Sequence, residues 1–211
     1  MSLKILVTDT RSALGRTLEH DLEREHCQLL SPALDWADPT AVADTLKRLR
    51  PDIAINTLGW EDNPDATQQH LLPIAAANLA RACAAGNVPL LQFSSYKVFG
   101  ADNKSSHSEK DTPAPTSAIG KAFFEAEQAV EASGARAIIL RLGWVIGSYG
   151  DNRLTRILAA IQNQQAITLN SRLRGAPTLL SDAVRVAVAL VKQISVGADN
   201  WGVMHYCSGD V

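Results

Sequence analysis

KILVTDTRSALGR, residues Lys4 to Arg16, joins a run of aliphatic and β-branched residues to a short polar turn and then to helix-forming sequence. A continuous apolar run of this kind fits a strand buried on both faces. The turn then stands where a strand–turn–helix unit cradles phosphate, because the N–H groups of a helix N-terminus point at it. Such turns use several glycines for tight bending and close approach. In Asp9-Thr10-Arg11-Ser12-Ala13-Leu14-Gly15 only Gly15 remains, at the position suited to close helix packing. The Asp9 carboxylate would repel a nearby phosphate, Ser12 can cap the helix, and Arg11 can offset negative charge. Taken alone, the turn reads at least as well as a connection with no ligand.

Working outward, apolar strands alternate with helical stretches. Helix is expected at Leu14–Glu25, at Pro39–Leu49 with Asp38 as N-cap, at Leu71–Ala85 closed by Gly86, and at Ala118–Ala132. Strands are expected at Cys27–Leu30, Ile53–Leu58, Pro89–Ser94 and Ala137–Leu142. Further helices at Leu154–Ile161 and Asp182–Gln193 and a last strand at Val203–Cys207 complete the pattern. The alternation predicts an α/β fold, a doubly wound and mostly parallel sheet of Rossmann-like type. Residues 1–150 form the nucleotide-binding region in this reading, and 151–211 complete the sheet and part of a substrate side.

At 211 residues and 46% hydrophobic, the chain can bury one substantial core. With 20 basic and 22 acidic residues and no basic block, it lacks a nucleic-acid footprint. Cys27, Cys83 and Cys207 are odd in number and far apart, as free thiols of a reducing compartment are. No signal-like or membrane-spanning stretch is evident, so the expectation is cytoplasmic with no membrane partner. His205 and Cys207 share one side of a strand, but no tetrahedral ligand set accompanies them, and no metal is expected.

Read together, KILVTDTRSALGR, PDIAINTLGWEDNP, FSSYKVFG, EKDTPAP, LRLGWVIG, RGAPTLLSDAV and GVMHYCSG occur in one order. In that order and spacing the chain resembles the dTDP-4-dehydrorhamnose reductase family of the extended short-chain dehydrogenase/reductases. The resemblance implies a nicotinamide cofactor, NAD or NADP, beside Thr10, Arg11, Ser12, Leu14, Gly15, Asp35, Asn56, Thr57, Leu58 and Gly59. It implies a keto-sugar nucleotide beside Ser95, Arg141, Trp144, Arg174 and Pro177. Family chemistry uses a serine or threonine, a tyrosine and a lysine four residues later. Ser95 fills the hydroxyl position, but the tyrosine falls on Ile119 and the lysine on Phe123. Neither replacement can donate a proton.

No nearby group restores that geometry in the sequence. Lys121 lies about 200° around a helix from Ile119. Tyr96 should face away from Ser95 on a regular strand, and Tyr149 needs a rearranged loop. The family also continues past the GVMHYCSG segment, which implies a partial substrate side here. The expectation is a catalytically degenerate member that binds a nucleotide or sugar nucleotide weakly, with the dinucleotide weak or absent, or that acts through a second copy or another protein. The alternative is an NAD(P)H-dependent reductase of a nucleotide-linked keto sugar.

Overall fold

The computed structural model describes residues 2–60, 65–100, 104, 106–168 and 175–208. Strand β1 (Lys4–Val7) leads into helix α1 (Ala13–Arg24), followed by β2 (Gln28–Leu30), α2 (Pro39–Leu49), β3 (Ile53–Asn56) and α3 (Ala66–Gly86). Then come β4 (Leu90–Ser95), a 3-10 turn at Tyr96–Val98, α4 (Ala118–Ala132), β5 (Ala137–Leu142) and β6 (Trp144–Ile146). The chain continues through α5 (Arg153–Gln162), β7 (Pro177–Leu179), α6 (Leu180–Ser195) and β8 (Gly202–Tyr206). Six strands form one parallel sheet in the order β2-β1-β3-β4-β5-β8, while β6 and β7 pair separately, with Trp144 opposite Pro177.

The sheet has a core on each face because its central strands are apolar throughout. Ile5 and Val7 pack with Leu14, Leu18 and Leu22 of α1 and with Ala183, Val184 and Val191 of α6. Leu6 and Ala54 face the other way, toward Val42 of α2, Leu79 of α3 and Phe123 of α4. Burying each such large side chain contributes about 1.5–3 kcal/mol. The small residues of α3 let it lie close to α4: Ala75, Ala76 and Ala80 are fully buried.

Local chemistry sets the element ends. Asp38 caps α2 by accepting the Thr40 and Ala41 N–H groups, with Pro39 in the first turn. Helix α3 begins at Ala66, five residues before the expected Leu71, because Asp65 and Gln68 form a reciprocal capping box. Its end also differs from expectation. Gly86 is the last helical residue, and Asn87 takes the left-handed conformation (φ 53°) that closes the helix, a conformation asparagine tolerates. Asn78 of α3 donates to the Trp36 and Ala37 carbonyls and so pins the loop that carries Asp35.

Candidate functional site

The C-terminal ends of β1, β3, β4 and β5 meet at one edge of the sheet, where open α/β folds place their ligands. A cavity of about 380 Å³ opens there. Ala13 and Leu14 of α1, Ser95 to Lys97 after β4, Trp144 and Val145 of β6, and the start of α5 line it. That volume suits a small ligand.

The first turn is satisfied from within. The Asp9 carboxylate accepts the Arg11 backbone N–H at 3.0 Å and its guanidinium Nε at 3.0 Å. The Ser12 hydroxyl accepts the Gly15 N–H at 3.1 Å and caps α1. Gly15 is required by packing, since a Cβ there would stand 2.1 Å from the Asp9 carbonyl oxygen. Thr10 places its hydroxyl 3.5 Å from that of Ser31. The frame therefore fits a dinucleotide in shape, with α1 drawn tightly onto β1. Within the turn, the Arg11 and Gly15 N–H groups donate to the Asp9 carboxylate and the Ser12 hydroxyl.

Asn56 and Thr57, expected beside the cofactor, are buried in a polar network. The Thr8 hydroxyl donates to Asn56 Oδ1 at 3.0 Å and accepts the Thr57 N–H at 2.9 Å. Thr57 Oγ1 accepts the Asp9 N–H and donates to the Asp9 carbonyl, while Asn56 Nδ2 donates to Gln92 Oε1. These side chains brace β1, β3 and β4 against one another. Leu58 donates its N–H to Asn56 Oδ1, and Gly59 holds a positive φ of 70° against the Leu72 side chain. Asp35 is exposed, and its carboxylate accepts the Ala37 N–H at 2.9 Å.

Ser95 ends β4 on the cavity wall, 4% exposed, and accepts the Lys97 N–H at 3.3 Å. Tyr96 corrects the sequence expectation. The strand stops at Ser95 and the 3-10 turn takes over, so Tyr96 lines the same cavity as Ser95 instead of facing away. It is 40% exposed, with its ring 6.3 Å from that of Trp144. Tyr149 lines the cavity too, and its hydroxyl is hydrogen-bonded to Thr17 of α1.

Ile119 is half-buried and packs against the α3–α4 side of the core. Phe123 is 3% exposed, with its ring 6.2 Å from that of Trp60, which lies 6.2 Å from Phe93. Aromatic carbon thus occupies the position where the resemblance implies a lysine.

Arg141 stands apart from the other expected substrate residues. It is 5% exposed and forms a forked pair with Glu127, Nε to Oε1 at 2.8 Å and Nη2 to Oε2 at 2.6 Å. Ser94 donates to the same carboxylate at 2.5 Å. Nη1 lies 3.3 Å from His205 Nε2, and His205 Nδ1 is 3.2 Å from the His107 carbonyl oxygen. Arg141 does not line the cavity, and its place in the structure is that of a buried brace. Trp144 does line it, backed by Gly175, while Pro177 is exposed on β7. Arg174 lies outside the described residues. Among those residues, no group of three or more His, Cys, Asp or Glu side chains could hold a metal ion, and no helix is long and apolar enough to cross a membrane.

Comparison with known proteins matches residues 3–211 to the family described as the RmlD substrate binding domain. The chain belongs to that family. A dTDP-4-dehydrorhamnose reductase from Aggregatibacter actinomycetemcomitans is 25% identical over 96% of this chain and 72% of its own length. A probable dTDP-4,6-dihydroxy-2-methyloxan-3-one 4-ketoreductase from Streptomyces antibioticus is 28% identical over 96% and 70%. A Bacillus anthracis dTDP-4-dehydrorhamnose reductase, solved in complex with NADP, superposes with a TM-score of 0.88 at 22% identity, covering 100% of this chain and 76% of that one. The Rossmann-like fold of the RmlD family is therefore present here.

Sequence reasoning set Tyr96 aside and passed over Arg153 and Arg156, which also line the cavity. The signal for the arginines was their three-residue spacing at the start of an amphipathic helix, which puts both on one face.

Proposed function

We propose that this chain is a reductase-type protein for a nucleotide-linked keto sugar, with NAD(P)H as its low-affinity partner. Family membership along residues 3–211 and the names of the curated relatives support this reading. The observation that carries it is Ser95 on the wall of a cavity at the C-terminal edge of a parallel sheet. NAD(P)H supplies a hydride when bound. The chain's own residues have to orient the carbonyl and protonate the resulting alkoxide. The Ser95 hydroxyl accepts one N–H and keeps its own proton for a carbonyl oxygen. Ile119 has no proton to give, so the acid is the neighbouring Tyr96 phenol, turned into the cavity by the 3-10 segment.

A second reading, binding of the nucleotide sugar without hydride transfer, is favoured by the packing of Ile119 and Phe123 and by the Asp9 carboxylate in the first turn. Steady-state oxidation of NADH and NADPH with dTDP-4-keto-6-deoxy sugars separates the two. Turnover that falls at least tenfold in both Ser95→Ala and Tyr96→Phe supports the first. Calorimetric binding of the sugar nucleotide with no turnover establishes the second.

A further inference from the structure

The segment after β6 crosses the first turn of α1. Gly150 lies against Ala13, the first residue of that helix. A Cβ added to Gly150, whose φ is +79°, would stand 2.6 Å from the Ala13 Cβ. Beside it the Tyr149 hydroxyl is hydrogen-bonded to Thr17, and the Arg16 guanidinium lies 5.8 Å from the Tyr149 ring centroid. Thr17 donates its own proton to the Ala13 carbonyl at 2.8 Å, so the Tyr149 O–H is the donor between the two side chains. Ala13, Leu14 and Tyr149 all line the cavity, so this contact closes the cavity wall where α1 begins.

The same segment is tied firmly to α5. Asn152, 7% exposed, donates from Nδ2 to the Gly147 and Tyr149 carbonyls at 3.1 Å. Its Oδ1 accepts the Leu154 and Thr155 N–H groups, and the Thr155 hydroxyl donates to the Gly150 carbonyl at 2.7 Å. Residues 147–152 and the first turn of α5 therefore make one small stiff piece. Helix α5 adds no anchor in the core, because none of its residues is buried, and Leu158 and Ile161 are exposed. A piece that is stiff inside and thinly packed against its surroundings opens as a unit.

We propose that residues 147–152 are a strap, fastened to α1 through Tyr149 and Thr17, that swings with α5 and gates the cavity beside the first turn. Arg153, over the Trp144 ring at 4.5 Å, keeps the unit joined to β6 while the α1 side opens. The fastening is a part-exposed hydroxyl pair and a glycine-to-alanine contact. It favours the closed state by a margin small enough for a ligand to overcome. The gate stands at the helix N-terminus that the phosphates of a dinucleotide approach, so its role in ligand entry rests on the NAD(P)H reading above.

The test is the distance between two spin labels, one at His20→Cys on the exposed side of α1 and one at Leu158→Cys on α5. Cys27 and Cys207 are replaced by serine, and Cys83, fully buried, is kept. Pulsed dipolar spectroscopy of the full chain should show a main short distance and a minor longer one. Tyr149→Phe and Thr17→Val each remove the hydroxyl bond and should raise the longer population about two- to tenfold. Gly150→Ala should raise it as well, since its methyl group meets Ala13. Gly134→Ala, at a similar φ of +71° with nothing within 4 Å, should leave it unchanged. In stopped-flow mixing with NADPH, the three opening variants should associate faster in proportion to that population. Distances in all three opening variants identical to those of the unaltered protein overturn the strap. A longer population that rises without faster association overturns its gating role. Absence of NADPH binding by the unaltered protein overturns the cofactor reading instead, and the distances alone then decide the strap.

Discussion

Asp9 closes a ring with Arg11: one carboxylate oxygen holds both the backbone N–H and the guanidinium Nε two residues on. A phosphate brought to this turn would meet the charge of that carboxylate. Asp9→Gly should therefore raise NADP affinity about tenfold, equivalent to about 1.4 kcal/mol, in a calorimetric titration. Asp9→Asn keeps the turn and removes the charge, and should give part of the gain. Tight binding by the unaltered protein, insensitive to both changes, would mean that the phosphates lie elsewhere.

Phe123 fills the space between α4 and Trp60 at 3% exposure. Phe123→Ala should cost about 3–5 kcal/mol, read as a lower midpoint in denaturant unfolding. The double change Ile119→Tyr/Phe123→Lys should not restore substantial turnover, because its ammonium would enter an apolar cluster with no carboxylate provided. A reductase assay on the double variant checks this, and strong activity would show that the cavity is still organised around a phenol and an amine.

Glu127 and Arg141 are buried together, so removing either leaves the other charge stranded. Arg141→Met should lower stability by about 3–5 kcal/mol in chemical denaturation. Adding Glu127→Leu to Arg141→Met should recover much of that loss, because the stranded carboxylate then disappears as well. A double variant no more stable than the single would argue that the pair contributes through Ser94 and His205 instead.

His205 carries a pH dependence with a definite sign. Burial pushes its pKa down; Glu109 opposes this and the Arg141 guanidinium adds to the lowering. His107 contributes a carbonyl oxygen at Nδ1, Glu109 accepts the His205 backbone N–H, and Glu127 lies behind Arg141. Nδ1 therefore carries the proton and neutral Nε2 accepts from Arg141. With the folded pKa below the unfolded one, the unfolded chain binds the proton first. The stabilisation is complete above about pH 6.5, the unfolded value, and is lost as pH falls toward the folded pKa. Denaturant unfolding between pH 8 and pH 5 should show this decline, and His205→Asn should reduce its slope.

Much of this architecture is legible in the chain because strand burial and helix capping are local signals. Helices α2 and α4 and strand β5 have the ends read from Asp38-Pro39, from Ala118 to Ala132 and from Ala137 to Leu142. The β6–β7 pair escapes such reading, since three-residue strands carry too little periodicity and their pairing joins segments about thirty residues apart. At the cavity, the apolar character of Ile119 and Phe123 is legible from sequence alone, and both pack with the α3–α4 side of the core. Tyr96 does not declare itself: alternation points it away from Ser95, and the 3-10 turn that brings it back depends on tertiary contact. The carbonyl of its neighbour Lys97 lies close against the start of α4, where a Cβ on Gly120 would stand 2.1 Å from that oxygen. Arg141 misleads for the opposite reason. Its place after an apolar run suggests a site, while its partner Glu127 sits on a different element and cannot be paired with it by spacing.

The pairing of β5 with β8 has a consequence for how the chain is made. Sixty-four residues separate the end of β5 at Leu142 from the end of β8 at Tyr206. At the usual pace of synthesis, roughly 5–20 residues per second, β5 leaves the ribosome roughly 3–13 seconds before its outer neighbour. During that interval AIILRL presents an open row of N–H and C=O groups on an apolar strand, the kind of edge that recruits other chains. The outer edge of β5 therefore stays without its neighbour until GVMHY arrives to close the sheet.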